Sequence, residues 1–277
     1  MTVEELLCLA CKDIHKYEAR LVLATLLDKN PLELTMHLDL IVDVKIKDKF
    51  LECVQNIKNG IPLQYALNST NFMGYDFYVD KRVLIPRFET EELVYNTNLY
   101  LKKYFSNPKI LDIGSGSGCC GLVLKKLDEN RDVTLLDISS DAMDVALINS
   151  KKLNVEVNYL VSDLFSKVSS KYDVIISNPP YISFLDKEVT DLVKNNEPSI
   201  ALYAKNNGLF FYENILKSCE SYLNDKYLIA FEIGYKQKDE VIKLINKYLK
   251  NVLIITKKDM SFNDRMIFIF KNIDIHE

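Results

Sequence analysis

From Lys109 onward, short apolar segments alternate with longer amphipathic ones, and few folds accommodate that order. The chain has predicted strands at "KILDIG", "VTLLDI", "NYLVSD", "YDVIIS", "YLIAFEIG", "VLIIT" and "MIFIF", and most of the segments between them predict helices. Such alternation favours an α/β fold with a doubly wound, mostly parallel, Rossmann-like sheet. Ligands of these sheets bind beyond the carboxyl ends of the strands, where the strand order reverses, so functional residues are expected there.

The N-terminal quarter follows a different pattern. Thr2 and Glu5 have capping-box spacing, and "EARLVLATLL", "LELTMHLDLIV" and "KFLECVQNIKNG" are amphipathic, which predicts a small helical bundle. The aromatic, roughly alternating segment "NFMGYDFYVDKRVLIP" predicts a β-hairpin. We therefore expect a helical bundle over 1–71, a hairpin linker over 72–86 and the α/β domain over 87–277.

Composition and charge narrow the classes of function. The formal net charge is -4, and the basic residues occur as scattered pairs, which argues against duplex nucleic acid as the main ligand. No apolar run approaches the ~20 residues that span a bilayer, and no signal peptide is evident. The six cysteines suggest no disulfide framework, so we expect a reduced, cytoplasmic protein without membrane contacts. Cys8 and Cys11 match C-x-x-C, but their spacing favours core packing on one helical face, and no metal site is expected.

A glycine-rich loop joins the first predicted strand to a helix in "ILDIGSGSGCCGL". Its glycines allow a sharp turn and a close approach to a ligand; the loop comprises Gly114, Ser115, Gly116, Ser117 and Gly118. The motif G-x-G-x-x-G is also satisfied, so a dinucleotide would fit the pattern equally well. Asp112 favours another ligand, because its carboxylate would repel a pyrophosphate and attract an ammonium group such as that of S-adenosylmethionine.

Acidic residues end the next two predicted strands. Asp137 follows Gly118 by just under twenty residues, where an acid accepts hydrogen bonds from ribose hydroxyls. This position fits both NAD and S-adenosylmethionine, so it indicates an adenosine ligand and nothing narrower. Asp163 could accept a hydrogen bond from the adenine amino group, with Leu164 against the ring.

The segment "SNPPYI" follows the fourth strand and contains two prolines without a backbone N–H. Asn178 and Pro179 each precede a proline and are biased toward extended conformations, so the loop is stiff. It offers acceptors, namely the Asn178 side-chain oxygen and the carbonyls of Pro179 and Pro180, while Tyr181 adds an aromatic face. Such a pocket suits a planar –NH2 group, which would face the glycine loop across the switch point.

Together these motifs resemble those of class I S-adenosylmethionine-dependent amino methyltransferases. The segment "PLQYALNSTNFMGYDFYVDKRVLIPRFETEELV" is similar to the hairpin signature of the release-factor glutamine methyltransferase family (PrmC/HemK). The segments "NEPSIALYAKNNGLFFYENIL", "FEIGYKQ" and "FNDRMIFIF" resemble later parts of that family, so the likeness spans nearly the whole chain. Phe88 and Asn68 depart from it, since the family usually has proline and glycine there, and Leu164 fills a position that is aromatic in some relatives.

The resemblance implies methyl transfer to the side-chain amide of the glutamine in the GGQ motif of peptide release factors. Asn178, Pro179 and Tyr181 would be catalytic, and these three with Pro180 would bind the substrate amide. The cofactor, S-adenosylmethionine, would contact Asn178 as well, together with the glycine loop and the acids; Arg87, Glu89 and Thr90 would lie beside it. The helical bundle would recognise the release factor, the product would be S-adenosylhomocysteine, and the chain is expected to be a monomer.

Three other functions remain open at the level of sequence. A nucleic-acid adenine or cytosine amino methyltransferase needs the same loop for the same –NH2 group, but also a basic surface. A dinucleotide-dependent dehydrogenase accounts for the glycines and Asp137, yet leaves "NPPY" without a role. The third alternative is a module that binds S-adenosylmethionine without catalysing a reaction. Only the completeness of the amine pocket argues against it.

Overall fold

The computed structural model describes residues 1–275. Its α-helices are α1 (Val3–Ala10), α2 (Lys16–Leu26), α3 (Val44–Lys58), α4 (Leu63–Leu67), α5 (Phe88–Tyr104), α6 (Cys119–Leu127), α7 (Ser140–Leu153), α8 (Asp191–Asn196), α9 (Ser199–Leu202), α10 (Phe210–Ser218) and α11 (Lys238–Tyr248). Its strands are β1 (Thr70–Phe72), β2 (Tyr75–Phe77), β3 (Lys109–Ile113), β4 (Asp132–Asp137), β5 (Asn158–Val161), β6 (Tyr172–Ser177), β7 (Ile182–Ser183), β8 (Tyr203–Ala204), β9 (Leu223–Glu232), β10 (Leu253–Lys258) and β11 (Asp264–Lys271).

The chain forms two compact units. Unit 1 comprises Met1–Ser69 and Thr190–Asn196, and unit 2 comprises Thr70–Val189 and the chain from Glu197 onward. The expected boundary at residue 71 falls inside β1, and no local pattern indicated that α8 belongs to unit 1. None of the helices within residues 1–275 combines the length and the apolar composition that a membrane span requires.

Unit 1 is a helical bundle built on α1 to α4 and α8. The predicted capping box is confirmed: the Thr2 hydroxyl accepts from the Glu5 N–H, and the Glu5 carboxylate accepts from the Thr2 N–H. Leu6, Leu23 and Phe50 are fully buried in one apolar cluster that draws on α1, α2 and α3. Burying such side chains stabilises the bundle by about 1.5–3 kcal/mol each.

Two predictions for unit 1 are wrong. The segment "LELTMHLDLIV" forms only a 3-10 turn, Glu33–Met36, because Asn30 and Pro31 start a turn in which the Asn30 side chain accepts from Leu32 N–H. Cys8 and Cys11 are exposed rather than packed in the core. The end of α4 explains one family departure, because Asn68 has a left-handed φ of 51°, which glycine or asparagine tolerates best.

The hairpin is shorter than the segment that predicted it. β1 and β2 pair around Met73 and Gly74, both with positive φ, as a two-residue turn of type I′ requires. Phe72 and Phe77 meet edge to face, with ring centroids 5.9 Å apart, and belong to a core cluster of unit 2. Residues 78–86 form no strand, so the hairpin occupies 70–77 instead of 72–86.

Unit 2 is built on a seven-stranded sheet in the order β5-β4-β3-β6-β9-β11-β10. β5, β4, β3, β6 and β9 are parallel, whereas β11 runs antiparallel to β9 and β10. The order reverses between β3 and β6. The predicted α/β class and the doubly wound, Rossmann-like sheet are therefore confirmed.

Apolar side chains on the two faces of the sheet form separate cores. On β3, Ile110 belongs to a cluster with side chains of α5, α6 and α7, whereas Leu111 and Ile113 join a cluster with α10 and α11. The period of two along the strand directs successive side chains to opposite faces. Because both faces of the sheet are covered, ligands can reach the sheet at the edge where its strands end.

Candidate active site

The loop after β3 has the conformation that its glycines predicted. Gly114, Gly116 and Gly118 have φ of 72°, 53° and 81°, a region that other residues adopt only with strain. A Cβ at Gly114 or Gly116 would meet no heavy atom within 4 Å, whereas one at Gly118 would lie 2.8 Å from a Leu122 carbon. The first two glycines therefore border open space, and the third packs the loop onto α6.

Asp137, at the end of β4, holds this loop in place. Its Oδ2 accepts from the Gly116 N–H at 2.9 Å, and its Oδ1 accepts from the Ser139 N–H at 3.0 Å. Burial raises the pKa of Asp137 above its ordinary value, although these N–H groups favour the charged form. Each carboxylate oxygen has a second lone pair, so Asp137 can also accept from a ligand hydroxyl.

Asp112 lies under the loop and not beside the open space. It is 1% exposed, and its Oδ2 accepts from the Gly121 N–H in the first turn of α6 at 2.9 Å. Burial raises the pKa of Asp112 to about 7, a shift that the Gly121 N–H opposes and the Asp137 charge reinforces. The described contacts thus give Asp112 the role of capping α6.

The "NPPY" segment begins where β6 ends, next to the end of β3. The Ser177 hydroxyl donates to the Ile113 carbonyl at 2.7 Å, which ties the two strand ends together. Asn178 then donates its Nδ2 to the Thr90 Oγ1 at 3.0 Å. Thr90, 2% exposed in the first turn of α5, donates in turn to Oε2 of Glu232 at 2.6 Å.

Glu232 also contacts the last residue of the segment. Tyr181 donates its hydroxyl to Oε1 of Glu232 at 3.3 Å, and burial raises the pKa of that phenol. The Gln237 Nε2 donates to the Tyr181 carbonyl at 3.0 Å, and the Gln237 Oε1 accepts from the Gly234 N–H. The loop is therefore held at its start through Thr90 and at its end by Glu232 and Gln237.

Two further contacts fix the segment after the hairpin. Asn149, fully buried on α7, exchanges hydrogen bonds with the backbone of Tyr78 and donates to the Ser117 carbonyl at 2.9 Å. Arg87 pairs with Glu197 at 2.6 Å between Nη2 and Oε1, and Glu197 also accepts from the Ile85 N–H. Residues 78–87 are thereby anchored beside the glycine loop.

One cavity lies at the ends of β3, β4, β5 and β6. Of the residues predicted for the site, those that line it are Gly114, Gly116, Asp137, Asp163, Leu164, Asn178, Pro179 and Pro180. Those that do not line it are Asp112, Ser115, Ser117, Gly118, Tyr181, Arg87, Glu89 and Thr90. Most of the second group supports the first: Thr90 holds Asn178, and Gly118 packs on α6. The Ser115 hydroxyl is buried without a partner among the residues described.

Several residues at the site were not predicted. The cavity is also lined by Arg82, Val83, Leu84, Ile138, Ser139, Ala142, Pro198, Ile200, Ala201 and Phe211. Glu232 was missed too, although it ends a predicted strand, as Asp137 does. The apolar lining residues carry no such signal, because nothing distinguishes them in sequence from core residues.

The lining residues fit S-adenosylmethionine. Gly114 and Gly116 leave room for a ligand against the backbone, and Asp137 and Asp163 offer acceptors for ribose hydroxyls and an amino group. Leu164, Ile138 and the other apolar lining residues supply surface for a purine ring. Among the described residues that line the cavity, the carboxylates of Asp137 and Asp163 outnumber the single cation, Arg82, which is itself paired with Asp80. This charge balance favours a cationic ligand over a dinucleotide.

Fold and site together define a methyltransferase. Residues 88–197 match the family described as "Methyltransferase small domain", and residues 4–67 match "PrmC N-terminal domain". A solved methyltransferase from Pyrococcus furiosus has the same fold, with a TM-score of 0.53 at 19% identity over 73% of this chain and 91% of that one.

Curated relatives identify the family within the class of methyltransferases. A release factor glutamine methyltransferase from Streptococcus pneumoniae is 40% identical over 82% of this chain and 82% of its own length. One from Clostridium botulinum is 37% identical over 91% of both chains. The chain belongs to the release factor glutamine methyltransferase family.

Proposed function

We propose that this enzyme transfers a methyl group from S-adenosylmethionine to the side-chain amide nitrogen of the GGQ glutamine in peptide release factors. The product is N5-methylglutamine. The observation that carries the proposal is the position of Asn178, Pro179 and Pro180 on the wall of the cavity that Gly114 and Gly116 also line. Acceptors for a planar –NH2 group thus adjoin the proposed cofactor cradle.

S-adenosylmethionine, when bound, supplies a methyl group on a positively charged sulfur and leaves as S-adenosylhomocysteine. Gly114, Gly116, Asp137, Asp163 and Leu164 hold its adenosine part. Asp112 supports the cradle by accepting from the Gly121 N–H of α6, and the Ser117 carbonyl is held by Asn149. Arg87 anchors the segment before α5 through Glu197, and Thr90 holds Asn178.

The substrate amide needs positioning more than it needs a base. Its nitrogen lone pair is delocalised, as the ~18–20 kcal/mol barrier to rotation about an amide C–N bond indicates. The Asn178 side-chain oxygen and the Pro179 carbonyl accept hydrogen bonds from the two amide N–H groups, and Tyr181 holds the end of the segment through Glu232. Once methylated, the nitrogen releases one of its two protons to water. Well-oriented reactants recover roughly 7–11 kcal/mol of a barrier, and the same acceptors bind more strongly as positive character develops on nitrogen.

Recognition of the whole release factor requires more surface than one side chain. We assign this role to unit 1, since a single glutamine cannot identify a protein. We further propose that the enzyme acts as a monomer in the cytoplasm, without membrane contacts and without direct binding of nucleic acid.

The test offers labelled S-adenosylmethionine with three substrates: a purified release factor, the same factor with its GGQ glutamine replaced by alanine, and DNA. We expect label on the first only. Label on DNA would favour the alternative, a nucleic-acid adenine or cytosine amino methyltransferase. Label on the alanine variant would place the reaction at another side chain.

A further inference from the structure

Glu232 controls the direction of two hydrogen bonds at the site. It ends β9, is 1% exposed, and accepts one hydroxyl on each carboxylate oxygen, from Thr90 and from Tyr181. An ionised carboxylate has no hydrogen to donate, so both hydroxyls must donate to it. The single hydroxyl hydrogen of Thr90 is thereby committed to Glu232.

The direction of that bond determines how the Asn178 amide is oriented. With its hydrogen committed, the Thr90 oxygen can only accept, and the group that lies 3.0 Å away must be the amide nitrogen of Asn178. The Asn178 Oδ1 then has no hydrogen-bond partner within residues 1–275, and Asn178 lines the cavity. The reverse orientation would turn –NH2 toward the substrate's own –NH2, so that donors would oppose donors.

We propose that Glu232 is a positioning residue that acts through the Thr90 hydroxyl to keep the Asn178 oxygen available as the acceptor for the substrate amide. This inference rests on the proposed function, which requires that acceptor. Glu232 itself contacts neither substrate nor cofactor in this scheme. Glu232 also accepts a hydrogen bond from Tyr181, so one buried carboxylate positions both ends of the "NPPY" segment.

The charge of Glu232 is the condition for this orientation. Burial raises the pKa of Glu232 to about 7, which Thr90, Arg265 on β11 and Tyr181 oppose and Glu89 on α5 reinforces. Tyr212 on α10 donates to the Glu232 backbone carbonyl, and Arg265 also pairs with Asp259. A protonated Glu232 can donate to Thr90 and free the Thr90 hydrogen, so the amide can reverse. The Asn178 amide therefore keeps this orientation at pH values above the pKa of Glu232 and loses it at lower pH.

The experiment compares Glu232→Gln, Thr90→Val, Thr90→Ser and the double variant Glu232→Gln/Thr90→Val in the full chain. Glutamine keeps the size of Glu232 but can donate as well as accept. Valine removes the hydroxyl, and serine is the matched control that keeps it. The readouts are kcat and KM with a release factor, S-adenosylmethionine affinity by calorimetry, and the pH dependence of kcat.

We expect Glu232→Gln and Thr90→Val each to lower kcat about 10- to 100-fold, the range for a lost hydrogen bond to a charged group, with cofactor affinity unchanged. Thr90→Ser should stay within about threefold of wild type. The double variant should be no slower than Thr90→Val alone, because both changes break one connection. Wild-type kcat should fall below about pH 7, and Glu232→Gln should lack that fall.

Thr90→Val at the wild-type kcat, or a double variant whose effects multiply, would overturn the positioning role. If a melting curve shows that Glu232→Gln does not fold, a comparison of kcat between Thr90→Val and Thr90→Ser still tests the positioning role. A wild-type protein that methylates no GGQ glutamine would instead overturn the proposed function, so the two failures are distinguishable.

Discussion

The backbone N–H of Gly116 donates to the Asp137 carboxylate at 2.9 Å, so the end of β4 determines the shape of the loop that follows β3. Asp137 was predicted from sequence as a partner of ribose hydroxyls. The ribose contact stays a prediction, and the structure shows a different contact, in which the same carboxylate holds the cradle against which the proposed cofactor lies.

Asp137→Ala should weaken S-adenosylmethionine binding by at least roughly 1.5–3 kcal/mol, the range for hydrogen bonds to a charged group. The loss of the Gly116 contact adds to the loss of the ribose contact. Calorimetry measures the change, with Asp132→Ala, an exposed position at the opposite end of β4, as the matched control. An unchanged dissociation constant would remove Asp137 from the cofactor site.

Asn178→Ala should nearly abolish methyl transfer while cofactor binding survives. The change removes the acceptor for the substrate amide but leaves Gly114, Gly116 and Asp137 in place. Single-turnover methylation of a release factor and calorimetry of cofactor binding are the two measurements. Asn224→Ala, exposed on β9, serves as the control. Turnover at the wild-type rate in Asn178→Ala would contradict the proposed mechanism.

Gly208→Ala should displace the "NPPY" segment, because the added methyl group would collide with the Tyr181 carbonyl. A Cβ there would lie 2.0 Å from the Tyr181 carbonyl oxygen and 2.5 Å from the Gln237 Nε2, at a φ of 87°. Gly60 offers a matched control, because its φ is 86° and a Cβ would meet nothing within 4 Å. Gly60→Ala should cost about 1–2 kcal/mol of unfolding free energy from backbone strain alone.

Gly208→Ala should exceed that cost and also reduce methyl transfer, whereas Gly60→Ala should leave the rate intact. Denaturant unfolding and a transfer assay give the two quantities. Equal losses of stability in the two variants, with full activity in both, would mean that the contact of Gly208 with the Tyr181 carbonyl does not position the segment.

Asp112→Asn should make stability less dependent on pH. Because burial raises the pKa of Asp112 to about 7, the folded protein retains a proton that the unfolded chain releases near pH 4. The wild type therefore loses stability as the pH rises from about 4 to about 7, by at most roughly 4 kcal/mol from this group. Asp112→Asn has no such proton to lose, so its stability relative to wild type should rise over that interval.

Urea unfolding at several pH values measures the effect. The exposed Asp144→Asn on α7 is the control and should follow the wild-type curve. A difference between Asp112→Asn and wild type that does not vary between pH 4 and 7 would contradict the raised pKa.

The strands and the residues at their ends could be predicted because both depend on local pattern. Asp137, Asp163 and Asn178 each follow an apolar run, and parallel strands bring their carboxyl ends to one edge. Glu232 satisfies the same rule and could have been found. The segment 78–86 was assigned to the hairpin because its aromatic and apolar residues alternate, but the Asn149 side chain bonds the backbone N–H and carbonyl of Tyr78, and no strand forms there.

The supporting contacts could not be predicted, because their partners lie far apart in sequence. Thr90 and Glu232 are separated by 142 positions, and Ile85 and Glu197 by 112. Neither residue of such a pair carries a pattern that indicates the other. The contact of Gly208 with the Tyr181 carbonyl depends on the packing of two irregular segments, which no periodicity describes.

The assignment of Thr190–Asn196 to unit 1 has a consequence for synthesis of the chain. Asn196 donates its Nδ2 to the Gly60 carbonyl at 2.8 Å, a contact that closes part of unit 1. Domains generally fold as the chain emerges from the ribosome, N-terminal first. Here the first unit can collapse early, but it acquires this last helix only after β3 to β6 and the "NPPY" segment have been translated. Completion of the bundle is therefore a late event in biogenesis, despite its position at the start of the sequence.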